Sequence, residues 1–174
     1  MRQLSIYYAT NCSATAAANL MQSPCITDGE VDAIALTGFP SAGAAYDHAV
    51  TQAGDVTIAF IHQDVYLPSG WLTKLSETMA WLDEHDPRWA VLGIIGRDAE
   101  GRVQGRTWST GLGAEVGRTI DEPMPVVCVD ELLIVLRGGT GLRFDDDLPG
   151  FHLYGTDIVL TAMERGRTAY VFDG

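Results

Sequence analysis

The first half of the chain alternates short apolar runs with segments that have helical spacing. Leu4–Ala9 and residues 31–36 are apolar and rich in strand-forming residues, and residues 56–61 are almost continuously apolar. A continuous run of this length is typical of a strand that is buried on both faces of a parallel sheet. Between these runs, Ser41 is a suitable N-cap for a helix that extends to about Gln52.

The second half continues this alternation with one interruption. Residues 71–84 carry apolar positions at helical spacing, and residues 90–95 form another apolar run. Residues 96–125 are glycines, charges and one tryptophan without a clear period, which predicts a long connection. The remaining predicted elements are strands at 125–129, 132–136 and 168–172, and helices at 14–21 and about 155–165.

The order of these elements predicts the fold class. Alternating strands and helices indicate a single α/β domain, residues 1–174, with a mostly parallel open sheet and helices on both faces. Ligands of such sheets bind at the carboxyl ends of the strands. That rule places His62, Gln63 and Asp64, which follow the run 56–61, at the edge where chemistry is expected.

Composition excludes several classes of protein. The chain has 174 residues and a formal net charge of −12, which disfavours nucleic acid as a partner and suits either simple solubility or a divalent cation. Its three cysteines have no zinc-site or disulfide spacing, which favours a reducing compartment. Residues 1–6 lack the features of a signal peptide, and no apolar run approaches the roughly 20 residues of a membrane span. A cytoplasmic protein without a transmembrane segment is expected.

Asp64 is the first candidate for chemistry. A carboxylate at the end of a buried strand is either a turn or capping residue, or a hard oxygen ligand for Mg²⁺ or Mn²⁺. His62 either adds an imidazole ligand or packs at the strand end.

Asp157 and Trp108 are the other candidates. Asp157 lies where an apolar loop meets the first turn of a helix, so it is either a residue favoured by the helix dipole or a general base. The three acids at 145–147 are typical of a solvated loop. Trp108, in the polar connection, either packs or stacks on a sugar ring.

Several motifs in order give the chain a family resemblance. The small-residue segment 41–48 precedes residues 60–65, Phe-Ile-His-Gln-Asp-Val, and residues 154–160 read Tyr-Gly-Thr-Asp-Ile-Val-Leu. Together with 129–131, Val-Asp-Glu, and 142–146, Leu-Arg-Phe-Asp-Asp, this arrangement resembles glycosyltransferase family 2. Within it, the chain is similar to a branch with His-Gln-Asp-Val in place of the Asp-x-Asp motif.

The resemblance implies a GT-A fold and a defined chemistry. A sugar would pass from a nucleotide-diphosphate donor to a glycan or small-molecule acceptor hydroxyl, with inversion and with Mn²⁺ or Mg²⁺ as cofactor. Asp64 matches the acid that holds the metal, His62 stands at the place of the first acid, and Asp157 matches the catalytic base. Donor contacts are implied at Ala9, Asn11, Thr37, Asp47, His62, Gln63 and Trp108, and acceptor-side contacts at Asp130 and Glu131.

Departures from the family pattern leave alternative functions open. Asp47 stands where the family usually has Asn, and Thr156 where it commonly has Glu. One alternative is a catalytically degenerate module that binds a sugar nucleotide or a partner protein. Another is a hydrolase with Asp64 as nucleophile. The sequence contains no GxGxxG, P-loop or GxSxG motif. Dinucleotide binding, P-loop nucleotide hydrolysis and α/β-hydrolase chemistry are therefore disfavoured. A homo-oligomer is also left open.

Overall fold

The computed structural model describes residues 4–174, so the signal-peptide prediction for residues 1–6 falls partly outside the described range. The strands are β1 (Leu4–Ala9), β2 (Ala33–Leu36), β3 (Thr57–Ile61), β4 (Trp89–Gly93), β5 (Ile95–Arg97), β6 (Val103–Ser109), β7 (Ala114–Gly117), β8 (Met124–Val126), β9 (Cys128–Val129), β10 (Leu133–Leu136) and β11 (Thr168–Val171). The helices are α1 (Ser13–Ala18), α2 (Pro24–Thr27), α3 (Ala42–Ala53), α4 (Trp71–His85) and α5 (Tyr154–Glu164), with a 3-10 turn at Leu20–Gln22.

A seven-stranded sheet organises the chain, in the order β2-β1-β3-β10-β4-β11-β8. β1 pairs in parallel with both β2 and β3, and β11 pairs in parallel with β4. β10 and β8 run against their neighbours. The predicted mostly parallel sheet is therefore confirmed, and the carboxyl ends of β1, β2 and β3 meet at one edge.

Helices cover both faces of this sheet, as predicted. α3 and α5 contribute Ala45, Tyr46 and Ile158 to one core, whereas α1 and α4 contribute to the core on the opposite face. Ser41 caps α3 as expected, because its side-chain oxygen accepts a hydrogen bond from the backbone N–H of Ala44 at 3.1 Å. β3 is buried along its whole length, which agrees with its continuous apolar sequence.

The prediction of a long irregular connection at 96–125 is wrong. These residues contribute to a second, antiparallel sheet with the strand order β7-β6-β5-β9. The alternation of apolar and polar residues in these strands is obscured because glycine stands where another backbone segment approaches closely. A Cβ atom on Gly105, which has φ +77°, would lie 2.0 Å from the carbonyl oxygen of Ile94.

Two strands predicted as single runs are each split between the sheets. Residues 90–95 divide into the end of β4 and the start of β5, and residues 125–129 divide into β8 and β9. The chain passes from the large sheet to the small one at Ile94 and at Val127. Apolar residues continue through both crossings because both sheets bury them, so the pattern alone gives no sign of the break.

Candidate functional site

The carboxyl ends of β1, β2 and β3 form one side of a cavity of about 480 Å³, the first cavity. The chain there leaves the buried sheet and exposes polar groups, as expected for this edge of a parallel sheet. Two sets of three consecutive residues line this cavity side by side. The first set is Ala9, Thr10 and Asn11 at the end of β1, and the second is His62, Gln63 and Asp64 after β3.

The side chain of Gln63 links the end of β3 to the end of β1 by hydrogen bonds. Its side-chain oxygen accepts a hydrogen bond from Thr10 Oγ1 at 2.5 Å, and its Nε2 donates to Asn11 Oδ1 at 3.1 Å. Paired side chains of this kind hold a fixed arrangement. Gln63 is thus a structural bridge between the strand ends at the first cavity.

His62 is held by a chain of hydrogen bonds from the other half of the protein. Its Nε2 lies 2.8 Å from the hydroxyl of Tyr154, and that hydroxyl donates to the backbone oxygen of Glu131 at 3.2 Å. The Tyr154 hydroxyl has one proton, and when Glu131 accepts it the Tyr154 oxygen accepts from His62 Nε2–H. In that tautomer the imidazole carries its free lone pair on Nδ1.

That lone pair lies beside the carboxylate of Asp64. His62 Nδ1 is 3.8 Å from Asp64 Oδ1, and the Asp64 side chain is 63% exposed. A carboxylate oxygen is a typical ligand of Mn²⁺ and Mg²⁺, whereas an imidazole nitrogen is more typical of transition metals, so a cation shared by these two atoms would be Mn²⁺ rather than Mg²⁺. Two protein ligands leave most of the coordination sphere to a bound ligand or to water, which favours a cation that binds together with an anionic ligand.

Local backbone geometry fixes Tyr154 at the first cavity. Leu153, which precedes α5, has φ +68° and is the one non-glycine residue with positive φ among residues 4–174. Strain of this type is concentrated at functional sites. Gly155 allows the helix start to lie close to the sheet, since a Cβ atom there would lie 2.6 Å from the backbone oxygen of Val129.

Two buried tyrosines give the first cavity a neutral wall. Burial raises the pKa of Tyr46 to about 12, and burial also raises the pKa of Tyr154, whose hydroxyl lies near that of Tyr46. Both hydroxyls keep their protons at physiological pH. The two rings contact each other edge to face, with centroids 5.2 Å apart.

A second cavity of about 630 Å³ lies on the other side of Asp64. Asp64 lines both cavities. Tyr66 and Trp108 line the second cavity, with Trp108 on β6 of the small sheet. Trp108, for which the sequence leaves packing or stacking on a sugar ring open, is thus on the far side of Asp64 from the first cavity.

Asp157 lines neither cavity. Burial is the main cause that raises the pKa of its carboxyl, and the nearby charge of Asp145 raises it further. One of its oxygens, Oδ2, is buried and has no hydrogen-bond partner. A carboxylate with a raised pKa has the electronic character of a general base, but Asp157 also interacts with the backbone of Asp145 in the 145–147 loop.

The remaining implied contacts also lie outside the lining of the first cavity. Asp47 forms an ion pair with Arg143, and Thr37 lines a shallow depression beside β2. Asp130 accepts a hydrogen bond from the backbone N–H of Leu132 at 2.9 Å. Glu131 contributes its backbone oxygen to Tyr154. Their implied ligand contacts stay predictions.

Sequence reasoning missed six residues that line the first cavity: Leu36, Gly38, Phe39, Tyr46, Phe151 and Tyr154. Tyr46 occupies an inward position of the predicted helix, and Tyr154 belongs to the family-like motif, but neither carried a sign of its role. Among residues 4–174, Asp145, Asp146 and Asp147 are the one group of three potential metal ligands close together, and all three are exposed.

The fold places the chain in a class of known structures. No protein-family profile matches the chain. The solved structure of A197 from STIV has a TM-score of 0.56 at 13% identity, over 99% of this chain and 82% of that one. S. aureus TarS 1-349 has a TM-score of 0.55 at 16% identity, over 98% of this chain and 60% of that one. The predicted GT-A-like α/β fold is thereby confirmed.

Two further comparisons concern longer proteins. S. aureus TarS has a TM-score of 0.57 at 15% identity, over 98% of this chain and 35% of that one. The curated protein "ATP synthase subunits region ORF 6" of Fuscovulum blasticum is 30% identical over 121 residues, which are 67% of this chain and 48% of that protein. The chain thus spans about half the length of this relative. None of the helices in residues 4–174 combines the length and apolarity needed to cross a bilayer.

Proposed function

We propose that the chain is a glycosyltransferase domain of the branch with a His-Gln-Asp-Val motif. A nucleotide-diphosphate sugar would bind in the first cavity, and an acceptor hydroxyl would approach from the second. The observation that carries this proposal is the position of Asp64, an exposed carboxylate that lines both cavities at the carboxyl end of β3. The GT-A-like fold supports the same conclusion.

Asp64 and His62 would hold a divalent cation together with the donor diphosphate. The cation supplies Lewis-acid stabilisation of the charge that develops on the departing diphosphate. Asp64 contributes an oxygen ligand, and His62 contributes Nδ1 because Tyr154 occupies its Nε2. The neutral hydroxyls of Tyr46 and Tyr154 add no negative charge that would repel the diphosphate.

In the proposed transfer, the acceptor oxygen attacks the anomeric carbon on the face opposite the diphosphate. The new glycosidic bond forms as the bond from carbon to the diphosphate oxygen breaks, so the configuration inverts. The acceptor hydroxyl loses its proton to a general base. The family resemblance assigns that role to Asp157, whose carboxyl pKa is raised mainly by burial, although Asp157 lines neither cavity.

Thermal shift with nucleoside diphosphates tests the proposal. UDP, GDP, ADP, CDP and dTDP are each added with and without Mn²⁺, and one of them is expected to raise the melting temperature only when Mn²⁺ is present. Asp64→Asn is expected to remove this increase. Asp146→Asn, in the exposed acidic loop, is the matched control and is expected to keep it.

Failure of every nucleoside diphosphate to stabilise the wild-type chain with Mn²⁺ would contradict the proposal. Loss of the effect in Asp146→Asn but not in Asp64→Asn would move the metal site to the 145–147 loop. Asp64 and Asp146 are both exposed, so the two substitutions are expected to have little effect on folding. A change in the thermal shift can therefore be attributed to ligand binding.

A catalytically degenerate sugar-nucleotide-binding or protein-interaction module is the second candidate function. It is favoured by His62, which stands where the related motif has its first acid and whose Nε2 lies 2.8 Å from the Tyr154 hydroxyl. Donor turnover separates the two functions. A domain that binds a nucleotide with Mn²⁺, but neither transfers nor hydrolyses the sugar of the matching donor, would be the degenerate module.

A further inference from the structure

The second cavity presents two exposed aromatic side chains from different parts of the fold. Tyr66, in the loop after β3, is 54% exposed, and Trp108, on β6, is 62% exposed. Scattered exposed apolar residues are common on protein surfaces, so the significance of these two rings is that they line the same cavity. Rings that line a concave site offer flat apolar faces and keep a polar edge for hydrogen bonds.

The charged groups of the second cavity neutralise one another. Arg106 Nε donates to Asp173 Oδ1 at 2.8 Å, and Arg106 Nη1 donates to Glu115 Oε1 at 2.9 Å. Lys74 Nζ lies 3.5 Å from Asp173 Oδ2. Both cations are thus paired with carboxylates, and the exposed Asp64 adds negative charge. An anionic ligand would meet no net attraction here, whereas hydroxyl groups can bond to either member of each ion pair.

A buried donor at the cavity wall also lacks a partner. Trp71 begins α4 and lines the second cavity, and its side chain is almost fully buried. Its indole N–H is one of two buried side-chain polar atoms without a hydrogen bond among residues 4–174. Buried donors are normally satisfied, so a water molecule or a ligand hydroxyl would complete this one.

We infer that the second cavity is a subsite for an uncharged glycan, whose sugar rings contact Trp108 and Tyr66. Asp64, shared with the first cavity, would then lie beside the hydroxyl that accepts the transferred sugar. This inference rests on the proposed function only in naming the glycan as the acceptor. The subsite itself follows from the aromatic rings and the balanced charges.

Ligand-observed saturation-transfer NMR tests the subsite. The probes are the neutral disaccharides lactose, maltose, cellobiose and diacetylchitobiose, with 3′-sialyllactose as the charged comparator. Each is measured with the wild-type chain alone and with Mn²⁺ and the five nucleoside diphosphates. The variants are Trp108→Ala and Tyr66→Ala, and the matched control is Leu112→Ala, a 74% exposed apolar residue on the same β6–β7 hairpin that lines neither cavity.

At least one neutral disaccharide is expected to bind the wild-type chain more tightly than 3′-sialyllactose does. Its affinity is expected to fall about tenfold in Trp108→Ala and in Tyr66→Ala, because each variant removes a stacking ring. Leu112→Ala is expected to stay within about twofold of wild type. These truncations are at exposed positions, and unchanged melting temperatures will show that the variants are folded.

Three results would overturn the inference: no neutral disaccharide binds under either condition, the aromatic variants bind as the wild type does, or the charged comparator binds more tightly. Its failure is distinguishable from failure of the proposed function. Stabilisation by a nucleoside diphosphate with Mn²⁺, without disaccharide binding, removes only the glycan subsite. Disaccharide binding that depends on Trp108, without any nucleotide effect, keeps the subsite and removes the transferase.

Discussion

The Nε2 atom of His62 lies 2.8 Å from the hydroxyl of Tyr154, although the two residues are 92 positions apart in the chain. His62 directly follows the buried strand β3, and Tyr154 begins α5. The bond therefore joins the first half of the sheet to the last helix at the point where the cation is proposed to bind. Tyr154 acts on that site through His62, as a positioning residue.

Tyr154→Phe is expected to weaken Mn²⁺ binding about tenfold in the presence of the nucleoside diphosphate, because His62 loses the acceptor that fixes its tautomer and orientation. The dissociation constant is measured by isothermal titration at pH 7. The spectrum of bound Mn²⁺ in electron paramagnetic resonance is recorded as well, since a change in its ligands alters that spectrum and a purely structural role does not.

Tyr7→Phe is the matched control for Tyr154→Phe. Tyr7 is also a buried tyrosine of the same core, but it does not line the first cavity. Its substitution is expected to leave the Mn²⁺ dissociation constant and spectrum unchanged. Equal Mn²⁺ binding by Tyr154→Phe and the wild type would show that the hydrogen bond does not set the ligand geometry of His62.

Asp157→Asn is expected to raise the melting temperature at pH 7. Burial and the nearby charges of Asp145 and Glu164 raise the pKa of Asp157 in the folded chain, so ionisation destabilises that state. The destabilisation grows as pH rises from the unfolded carboxyl pKa through the folded one. The advantage of the variant should therefore disappear below about pH 4, where both states are protonated.

The same variant tests the role of Asp157 in catalysis. Under the proposed base role, Asp157→Asn loses sugar transfer and keeps nucleotide binding, a combination typical of active-site groups that are unfavourable for stability. Thermal melts from pH 3 to 8 are combined with a transfer assay. A lower melting temperature for the variant at pH 7 would contradict the inferred burial of the charge, and unchanged transfer would assign the base elsewhere.

The position of Asp64 could be predicted because the signal is local. Residues 56–61 form a continuous apolar run, and such a run becomes a buried strand wherever it lies in a parallel sheet. The rule for the carboxyl ends of parallel strands then applies without knowledge of the remaining chain. Asp64 is exposed at the edge where that rule places it.

The environment of His62 could not be predicted in the same way. Its partner Tyr154 is brought to it by helix packing, close approach at Gly155 and the left-handed conformation of Leu153. The Asp47–Arg143 ion pair likewise joins α3 to a distant loop. Contacts of this kind depend on the assembled fold, and no periodicity in the sequence encodes them.

Gly43→Ala is expected to destabilise the chain by about 1–3 kcal/mol, although alanine is the better helix former. Gly43 is buried in α3, and a Cβ atom there would lie 1.9 Å from the carbonyl oxygen of Asp145. Urea unfolding measures the change. Gly111→Ala is the control, because no atom lies within 4 Å of its added Cβ. Equal stability of Gly43→Ala and the wild type would show that the 145–147 loop can move away from the helix without cost.

Asp98→Asn is expected to destabilise the chain at pH 7, with a deficit that shrinks on acidification. Burial opposes ionisation of Asp98, but hydrogen bonds from Gln104 and Arg102 outweigh it and lower the pKa of this carboxyl to about 2. The stabilisation is therefore complete above the unfolded pKa of about 4 and is lost as pH falls towards 2.

Urea midpoints at pH 7, 5, 4, 3 and 2 measure this stabilisation by Asp98. Asp121→Asn, at an exposed position, is the control for loss of one charge. A deficit of equal size at pH 7 and pH 2 would show that the ionised carboxylate does not hold the turn between β5 and β6 in place.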